Sequence, residues 1–182
     1  MITGLRAADL RWEKIAPIPD AVGFAGSFAG VSGGALLVAG GANFPGAMPW
    51  AGGAKIWHDD VFVLETSDGA WRRGGRLPAP LGYGVAVSHT RGVVCIGGSS
   101  RDQHHGSVFV LRWVKGRLET ELLPGLPETS ANLSGALIGD TVYIAGGIAR
   151  PDSTNALNTF YSMNLSSKRP GWRRLEPFPG PG

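Results

Sequence analysis

The chain has 182 residues, among them 29 glycines and 13 prolines, and 17% of its residues are charged. This length suffices for one domain with a hydrophobic core, and the glycine and proline content favours short strands and many turns over long helices. The net charge of +3 is spread without a basic stripe, and no apolar run approaches the roughly 20 residues of a membrane span, so we expect neither nucleic acid nor a membrane as a partner.

The N-terminal segment and the single cysteine bear on location. Residues 1–10 carry charges and lack the apolar stretch of a signal peptide, which predicts a cytoplasmic location. The single cysteine, Cys95, lies inside the apolar run 93–96 and excludes an internal disulfide framework. A lone thiol of this kind says little about the redox compartment.

One sequence mark recurs along the chain and divides it into repeats. A tryptophan is followed seven residues later by a proline, at Trp12 and Pro19, Trp71 and Pro78, and Trp172 and Pro179. A copy without the tryptophan ends at Leu126-Pro127, so the prolines recur about every 50 residues. Between the marks, glycine pairs close apolar strands at Gly40-Gly41, Gly97-Gly98 and Gly146-Gly147. This period is typical of kelch repeats, each of which forms one blade of a β-propeller.

Each repeat divides into four strands, which we name A to D from the inside of the blade outward. The predicted strands are 26–31, 35–39, 60–65 and 70–76 in the first blade, 84–88, 93–96, 107–113 and 117–122 in the second, and 134–138, 141–145, 159–165 and 171–175 in the third. The B strands are apolar throughout, which is expected where stacked blades bury both sides of a strand. The tryptophans on the D strands are predicted to pack between neighbouring blades.

The sequence therefore predicts an all-β fold, a kelch-type β-propeller of three four-stranded blades plus one extra outer strand. The outer strand of a closing blade is assigned to residues 10–19, blade 1 to 20–78, blade 2 to 79–127, and blade 3 with the start of the next loop to 128–182. With one D strand too many, the chain is expected to be a fragment of a larger ring. Its two open blade faces predict that the isolated chain associates or precipitates.

Antiparallel order places the B–C and D–A connections on one face of the propeller, which we call the loop rim. The B–C loops are long, at 42–58, 99–106 and 148–155, whereas the A–B turns on the opposite face need only a few residues. Long loops on one side of a rigid scaffold are the usual place for binding and catalysis. Asparagine, arginine and histidine beside aromatic residues suit a polyhydroxylated or carboxylated small molecule.

Six residues of the loop rim are predicted to line a substrate site: Asn43, Phe44, Arg101, His104, Asn132 and Asn155. The same loops also carry Asp20, Trp50, His58, Asp102, His105, Glu128, Arg150 and Asp152. The competing interpretation of any single one of these residues is a solvated loop side chain. That interpretation is weaker for the set as a whole.

Other kinds of site are disfavoured by the sequence. No metal is expected, because His104 and His105 are adjacent and point to opposite sides of an extended chain, and no third ligand follows at a telling spacing. The pair Asp59-Asp60 at the start of a C strand is interpreted as structural. The sequence has no nucleophile elbow, no phosphate loop and no Ser-His-Asp arrangement that spacing alone would support.

Several segments of the chain resemble the kelch-type N-acetylneuraminate epimerases, the sialic acid mutarotases. They are LRWEKIAP at 10–17, GSFAG at 26–30, VAGGANFP at 38–45, GYGV at 82–85, DTVYI at 140–144 and WRRLEPFP at 172–179. The first two blades resemble the C-terminal part of the bacterial periplasmic enzyme, whereas the third resembles its N-terminal blade. That rotation marks the cyclically permuted mutarotase subfamily.

The resemblance implies a six-bladed propeller, of which this chain is about half, that interconverts the anomers of N-acetylneuraminate or a related sugar acid without a cofactor. One group would deprotonate the anomeric hydroxyl while another protonates the ring oxygen, and a guanidinium would suit the sugar carboxylate. The family's catalytic glutamate and arginine belong to a blade expected beyond residue 182. The catalytic residues are therefore unknown, and this chain alone is expected to have no epimerase activity.

Two other functions stay open at this point. A kelch propeller can serve as a binding module for a protein or glycan partner without catalysis. A copper radical oxidase of the galactose oxidase type shares the architecture, but it needs a cysteine cross-linked to a tyrosine, and Cys95 lies instead in a B strand.

Overall fold

The computed structural model describes residues 12–179, which contain three antiparallel four-stranded sheets, one for each predicted blade. Blade 1 consists of β1 (Phe28–Ser32), β2 (Ala35–Ala39), β5 (Asp60–Leu64) and β6 (Arg72–Arg76). Blade 2 consists of β7 (Val85–His89), β8 (Gly92–Ile96), β9 (Val108–Val114) and β10 (Arg117–Leu123). Blade 3 consists of β11 (Ser134–Ile138), β12 (Thr141–Ala145), β13 (Phe160–Asn164) and β14 (Arg173–Arg174). The all-β propeller fold is thus confirmed.

Sequence order and spatial order agree within every blade. Each strand pairs with the next one of its blade, and the inner strands β1, β7 and β11 lie side by side in neighbouring blades. A two-stranded ladder inside the first B–C loop, β3 (Ala42–Asn43) with β4 (Ile56–Trp57), was not predicted. Among the described residues, helix is limited to one 3-10 turn at Pro49–Ala51, and no helix is long and apolar enough to cross a membrane.

The outer strands differ most from the prediction. The extra strand assigned to 10–19 lies partly outside the described residues, and its described part, 12–19, makes no strand pairing. An outer strand needs the C strand of its own blade as a partner, and β5, β9 and β13 are already paired on both sides. The third outer strand is also shorter than predicted, since β14 has only two residues.

The hydrophobic core lies between the blades, and blade 2 contributes to both halves of it. Alternate residues of β8 face opposite ways: Val93 and Cys95 pack against blade 1, and Val94 and Ile96 against blade 3. All five residues of β8 are buried, whereas β2 and β12 alternate between buried and half-buried positions. The prediction that B strands are buried on both sides is therefore correct for β8. The other two have a blade packed on one side only.

The tryptophans of the repeat mark behave in two ways. Trp71 Nε1 donates to the Ala16 carbonyl oxygen at 2.8 Å, and Trp172 Nε1 donates to that of Pro124 at 2.9 Å. Each tryptophan thus ties the start of its outer strand to a residue about one repeat earlier in the chain. Trp172 also packs against the core between blades 2 and 3. Trp12 is 91% exposed and does not pack between blades as predicted, because the described chain brings no second blade face to it.

Candidate functional site

The loop rim is held together by backbone hydrogen bonds between blades. Gly41 N–H donates to the Leu81 carbonyl oxygen, and Gly98 N–H donates to that of Ser130, both at 2.8 Å. In return, Leu81 N–H bonds the His58 carbonyl oxygen at 3.1 Å. The long B–C loop of one blade is thus fixed against the D–A loop of the next, and the side chains of both loops share the same clefts.

The first predicted rim residue, Asn43, is buried, and both ends of its amide are hydrogen-bonded. Its Nδ2 donates to the Gly23 carbonyl oxygen at 2.9 Å, and its Oδ1 accepts from His58 Nε2 at 2.8 Å. Blade 2 has the equivalent contact, with 2.8 Å between His105 Nε2 and Ser100 Oγ. Asn43 and His58 therefore fix the loop. The half-buried Phe44 lines a recess of about 390 Å³ near them, together with Met48 and Tyr83.

The predicted residue His104 is placed at a cleft between blades 2 and 3. Its Nδ1 lies 2.7 Å from the Ile148 carbonyl oxygen, which only accepts, so Nδ1 carries a proton and donates to it. The cleft has a volume of about 440 Å³ and is also lined by Thr129, Arg150 and Asp152. The neutral form of His104 would therefore offer Nε2 as a hydrogen-bond acceptor to a polar ligand there.

A second cleft, between blades 1 and 2, contains the predicted residue Arg101. Its volume is about 410 Å³, and its polar lining consists of Lys55, Ser100, Arg101, Asp102 and His105 beside the ring of Trp57. The Arg101 side chain is 82% exposed, and its Nε lies 4.0 Å from Asp102 Oδ1. Two cations against one carboxylate make this cleft suited to an anion.

Asn132 and Asn155 lie apart from these clefts. Asn132 directly precedes Leu133 and the inner strand β11; its backbone has a positive φ of 56°, and its side chain is exposed. Asn155 is also exposed, and its backbone N–H and carbonyl oxygen are both bonded to Ser153 Oγ. The structure brings Arg101 and His104 to adjoining clefts that share Asp102, and it brings neither asparagine into them.

The family model described as N-acetylneuraminate epimerase matches residues 2–120, which is more than half of the chain. The chain belongs to the N-acetylneuraminate epimerase family. The resemblance inferred from its segments is confirmed.

Curated members of the epimerase family match the chain over part of its length. The N-acetylneuraminate epimerase of Brucella suis is 37% identical over 125 residues, which are 60% of this chain and 32% of that protein. The one of Yersinia pestis strain Pestoides F is 39% identical over 131 residues, 62% of this chain and 32% of that protein. The match thus spans about a third of the length of these epimerases.

A solved structure confirms the fold independently. The structure of YjhT superposes with a TM-score of 0.77 at 15% sequence identity, covering 97% of this chain and 58% of that chain. The cleft between blades 1 and 2 lies wholly within the part that matches the epimerase family, whereas Asn132 and Asn155 lie outside it.

Three rim residues were missed by the sequence analysis: Lys55, Trp57 and Tyr83. Lys55 and Trp57 are two residues apart, a spacing that puts them on one side of an extended segment, but nothing in the sequence marks the ladder that holds them. Tyr83 stands between two glycines directly before an inner strand. Its placement depends on the neighbouring blade.

His105, which lines the cleft between blades 1 and 2, has a lowered pKa. Burial lowers the pKa of the His105 imidazole below its ordinary value of 6.5, and the neighbouring His104 lowers it further. As the pH falls through 6.5, the unfolded chain takes up a proton before the folded chain does, so the folded state loses stability. When the pH falls from about 7.5 to about 5, the unfolding free energy of His105→Gln should decrease less than that of the parent chain. Urea denaturation at each pH measures both. An identical pH dependence in both proteins would contradict this.

Proposed function

We propose that this chain supplies part of the sugar-binding face of an N-acetylneuraminate epimerase, and that the substrate binds in the cleft between blades 1 and 2. One observation carries the proposal: within the residues that match the family, this cleft gathers two cations, a neutral histidine, a hydroxyl and an aromatic ring. The cations suit the carboxylate of a sugar acid, and Ser100 and His105 suit its hydroxyls. The ring of Trp57 suits the apolar face of a sugar.

The chemistry of such a reaction requires an acid and a base but no cofactor. Removing the anomeric proton and protonating the ring oxygen opens the sugar, and closure from the other face gives the second anomer. We assign neither group to a residue of this chain. Glu128 is a carboxylate of the loop rim, but it already accepts a hydrogen bond from Tyr161 Oη at 2.9 Å.

The partners we propose are N-acetylneuraminate or a related sugar acid, together with the further blades that would complete the ring. The cyclically permuted order of the blades, the cytoplasmic location and the lack of activity in this chain alone stay predictions.

The lack of activity is checked by saturation-transfer NMR of N-acetylneuraminate. Exchange between its anomers catalysed by this chain would place the base on these three blades.

Binding tests the proposed function directly. We expect N-acetylneuraminate to shift the backbone NMR signals of residues 99–105, and Arg101→Ala to weaken binding about tenfold because it removes one of the two cations. Arg117→Ala is the matched control, since Arg117 is an exposed arginine at the C–D turn on the opposite face. A loss of affinity of the same size in both variants, or signal changes confined to the opposite face, would contradict the proposal.

A further inference from the structure

Lys55 is held in an unusual environment on the loop rim. Its Nζ lies 4.0 Å from the centroid of the Tyr83 ring and 4.9 Å from the centroid of the Trp57 ring. None of the ion pairs among residues 12–179 includes it. The ammonium is thus held by two aromatic faces, which attract a cation without neutralising its charge.

The β3–β4 ladder presents Lys55 to the Trp57 ring. Trp57 pairs with Ala42, which fixes the end of the long loop against the end of blade 1, and Lys55 directly precedes this two-residue strand. Residues two apart on an extended segment point the same way, so the lysine stem runs beside the indole. Ile56, between them, is exposed.

Tyr83 reaches Lys55 through a backbone conformation that aromatic residues rarely adopt. Its φ is 61°, and the equivalent positions of the other blades, Gly26 and Asn132, have φ values of 67° and 56°. Tyr83 N–H donates to the Gly26 carbonyl oxygen at 2.7 Å, and Asn132 N–H donates to that of Tyr83 at 2.8 Å. These three residues therefore form one continuous hydrogen-bonded arc around the inner strands.

Blade 1 leaves room for the tyrosine ring. A Cβ atom on Gly26 would lie 2.6 Å from Tyr83 Cδ1, closer than two carbon atoms can approach, so glycine at this position lets the ring lie where Lys55 meets it. Glycine would also suit the left-handed backbone at position 83, yet tyrosine stands there. A left-handed tyrosine, the glycine against its ring and the lysine over that ring thus form one contact group.

We propose that Lys55 binds the carboxylate of the sugar acid, and that Tyr83 and Trp57 are positioning residues that hold its ammonium at the cleft. This inference rests on the proposed function and assigns the ligand's charged group to one side chain. Both cations of the cleft could attract an anion, but Arg101 is 82% exposed, and none of the cation–ring contacts within residues 12–179 includes it. Lys55 has already lost much of its conformational freedom, so it binds an anion at lower entropic cost.

The test compares N-acetylneuraminate with its methyl ester, which keeps the sugar and removes the charge. We expect the parent chain to bind the acid at least about tenfold more tightly than the ester, which is the effect of one charge-assisted contact. Lys55→Met should lose most of this preference, and Lys55→Arg should restore it. Arg117→Met, at the exposed C–D turn on the opposite face, is the matched control and should keep the full preference for the acid.

The positioning role has its own readout. The side-chain protons of Lys55 should show upfield ring-current shifts in the parent chain and in Tyr83→Phe, which keeps the ring. Tyr83→Leu should lose the part of the shifts that the Tyr83 ring causes and should reduce the preference for the acid. Near-ultraviolet circular dichroism checks that each variant keeps its fold. Unshifted Lys55 protons in the parent chain would overturn the positioning role.

The outcomes separate this inference from the proposed function. If the parent chain prefers the acid and Lys55→Met keeps that preference, the inference falls and the proposed function stands. If the parent chain binds acid and ester equally, sugar binding stands and carboxylate recognition by Lys55 falls. If the parent chain binds neither ligand, both fall.

Discussion

Gly97→Ala is expected to destabilise the chain by about 3 kcal/mol, the combined effect of a left-handed alanine and of overlap with a neighbouring backbone. Gly97 closes strand β8 with φ 63°, and a Cβ atom there would lie 2.5 Å from the Ser130 carbonyl oxygen. That oxygen belongs to the D–A loop bonded by Gly98 N–H, so the alanine would push apart the two loops that line the rim. Urea denaturation gives the change in unfolding free energy.

Blade 3 offers a matched control for this substitution. Gly146 has the same place in its blade and a φ of 66°, but its Cβ would come no closer than 3.4 Å to any neighbour, the Leu157 carbonyl oxygen. Gly146→Ala should therefore cost only the left-handed backbone strain, about 1–2 kcal/mol. Equal losses in the two variants would mean that contact between blades does not account for the glycine pair.

Phe109→Ala is expected to cost about 3–5 kcal/mol of unfolding free energy, as other deletions of a buried phenylalanine ring do. Phe109 lies on β9 and is 2% exposed, and the centroid of its ring is 6.0 Å from that of Phe28 on β1 at an interplanar angle of 69°. The side chain joins blade 2 to blade 1, so its loss leaves a cavity between blades. Thermal or urea unfolding measures the effect.

The control for this second substitution is an exposed leucine of the same blade. Leu122 lies on β10 and is 74% exposed, so Leu122→Ala should change the unfolding free energy by less than about 0.5 kcal/mol. If Phe109→Ala cost as little, the packing between blades 1 and 2 would contribute little to stability.

The sequence predicted best the strands whose limits are marked by neighbouring residues. The B strands at 35–39 and 141–145 have the predicted bounds, because an apolar run ends at a glycine pair in each. Two outer strands were predicted less well, the one at 10–19 and that of blade 3, whereas β10 nearly keeps its predicted bounds. The short β14 and the unpaired segment 12–19 show that an outer strand depends on its partner more than on its own sequence.

The loop rim was predicted as a region, but the contacts that its residues make with one another were not. Residue type marked Asn43 as a ligand contact, whereas its amide bonds Gly23 and His58 across a loop that no sequence pattern closes. Lys55 and Tyr83 come from different blades and meet only when the blades stack. Contacts of this kind depend on tertiary geometry, so a single sequence cannot place them.

The middle position of blade 2 has a consequence for the dynamics of the molecule. Strand β8 has buried neighbours on both sides, and the edge strand β11 of blade 3 is mostly exposed. Opening blade 2 would require separating two interfaces at once, whereas blade 3 can open after losing one. Amide hydrogens of β8 should therefore exchange with solvent only through nearly global unfolding, and those of blade 3 through smaller and more frequent openings. The cleft that we assign to the sugar lies between blade 2 and blade 1, and blade 1 can also open after losing one interface.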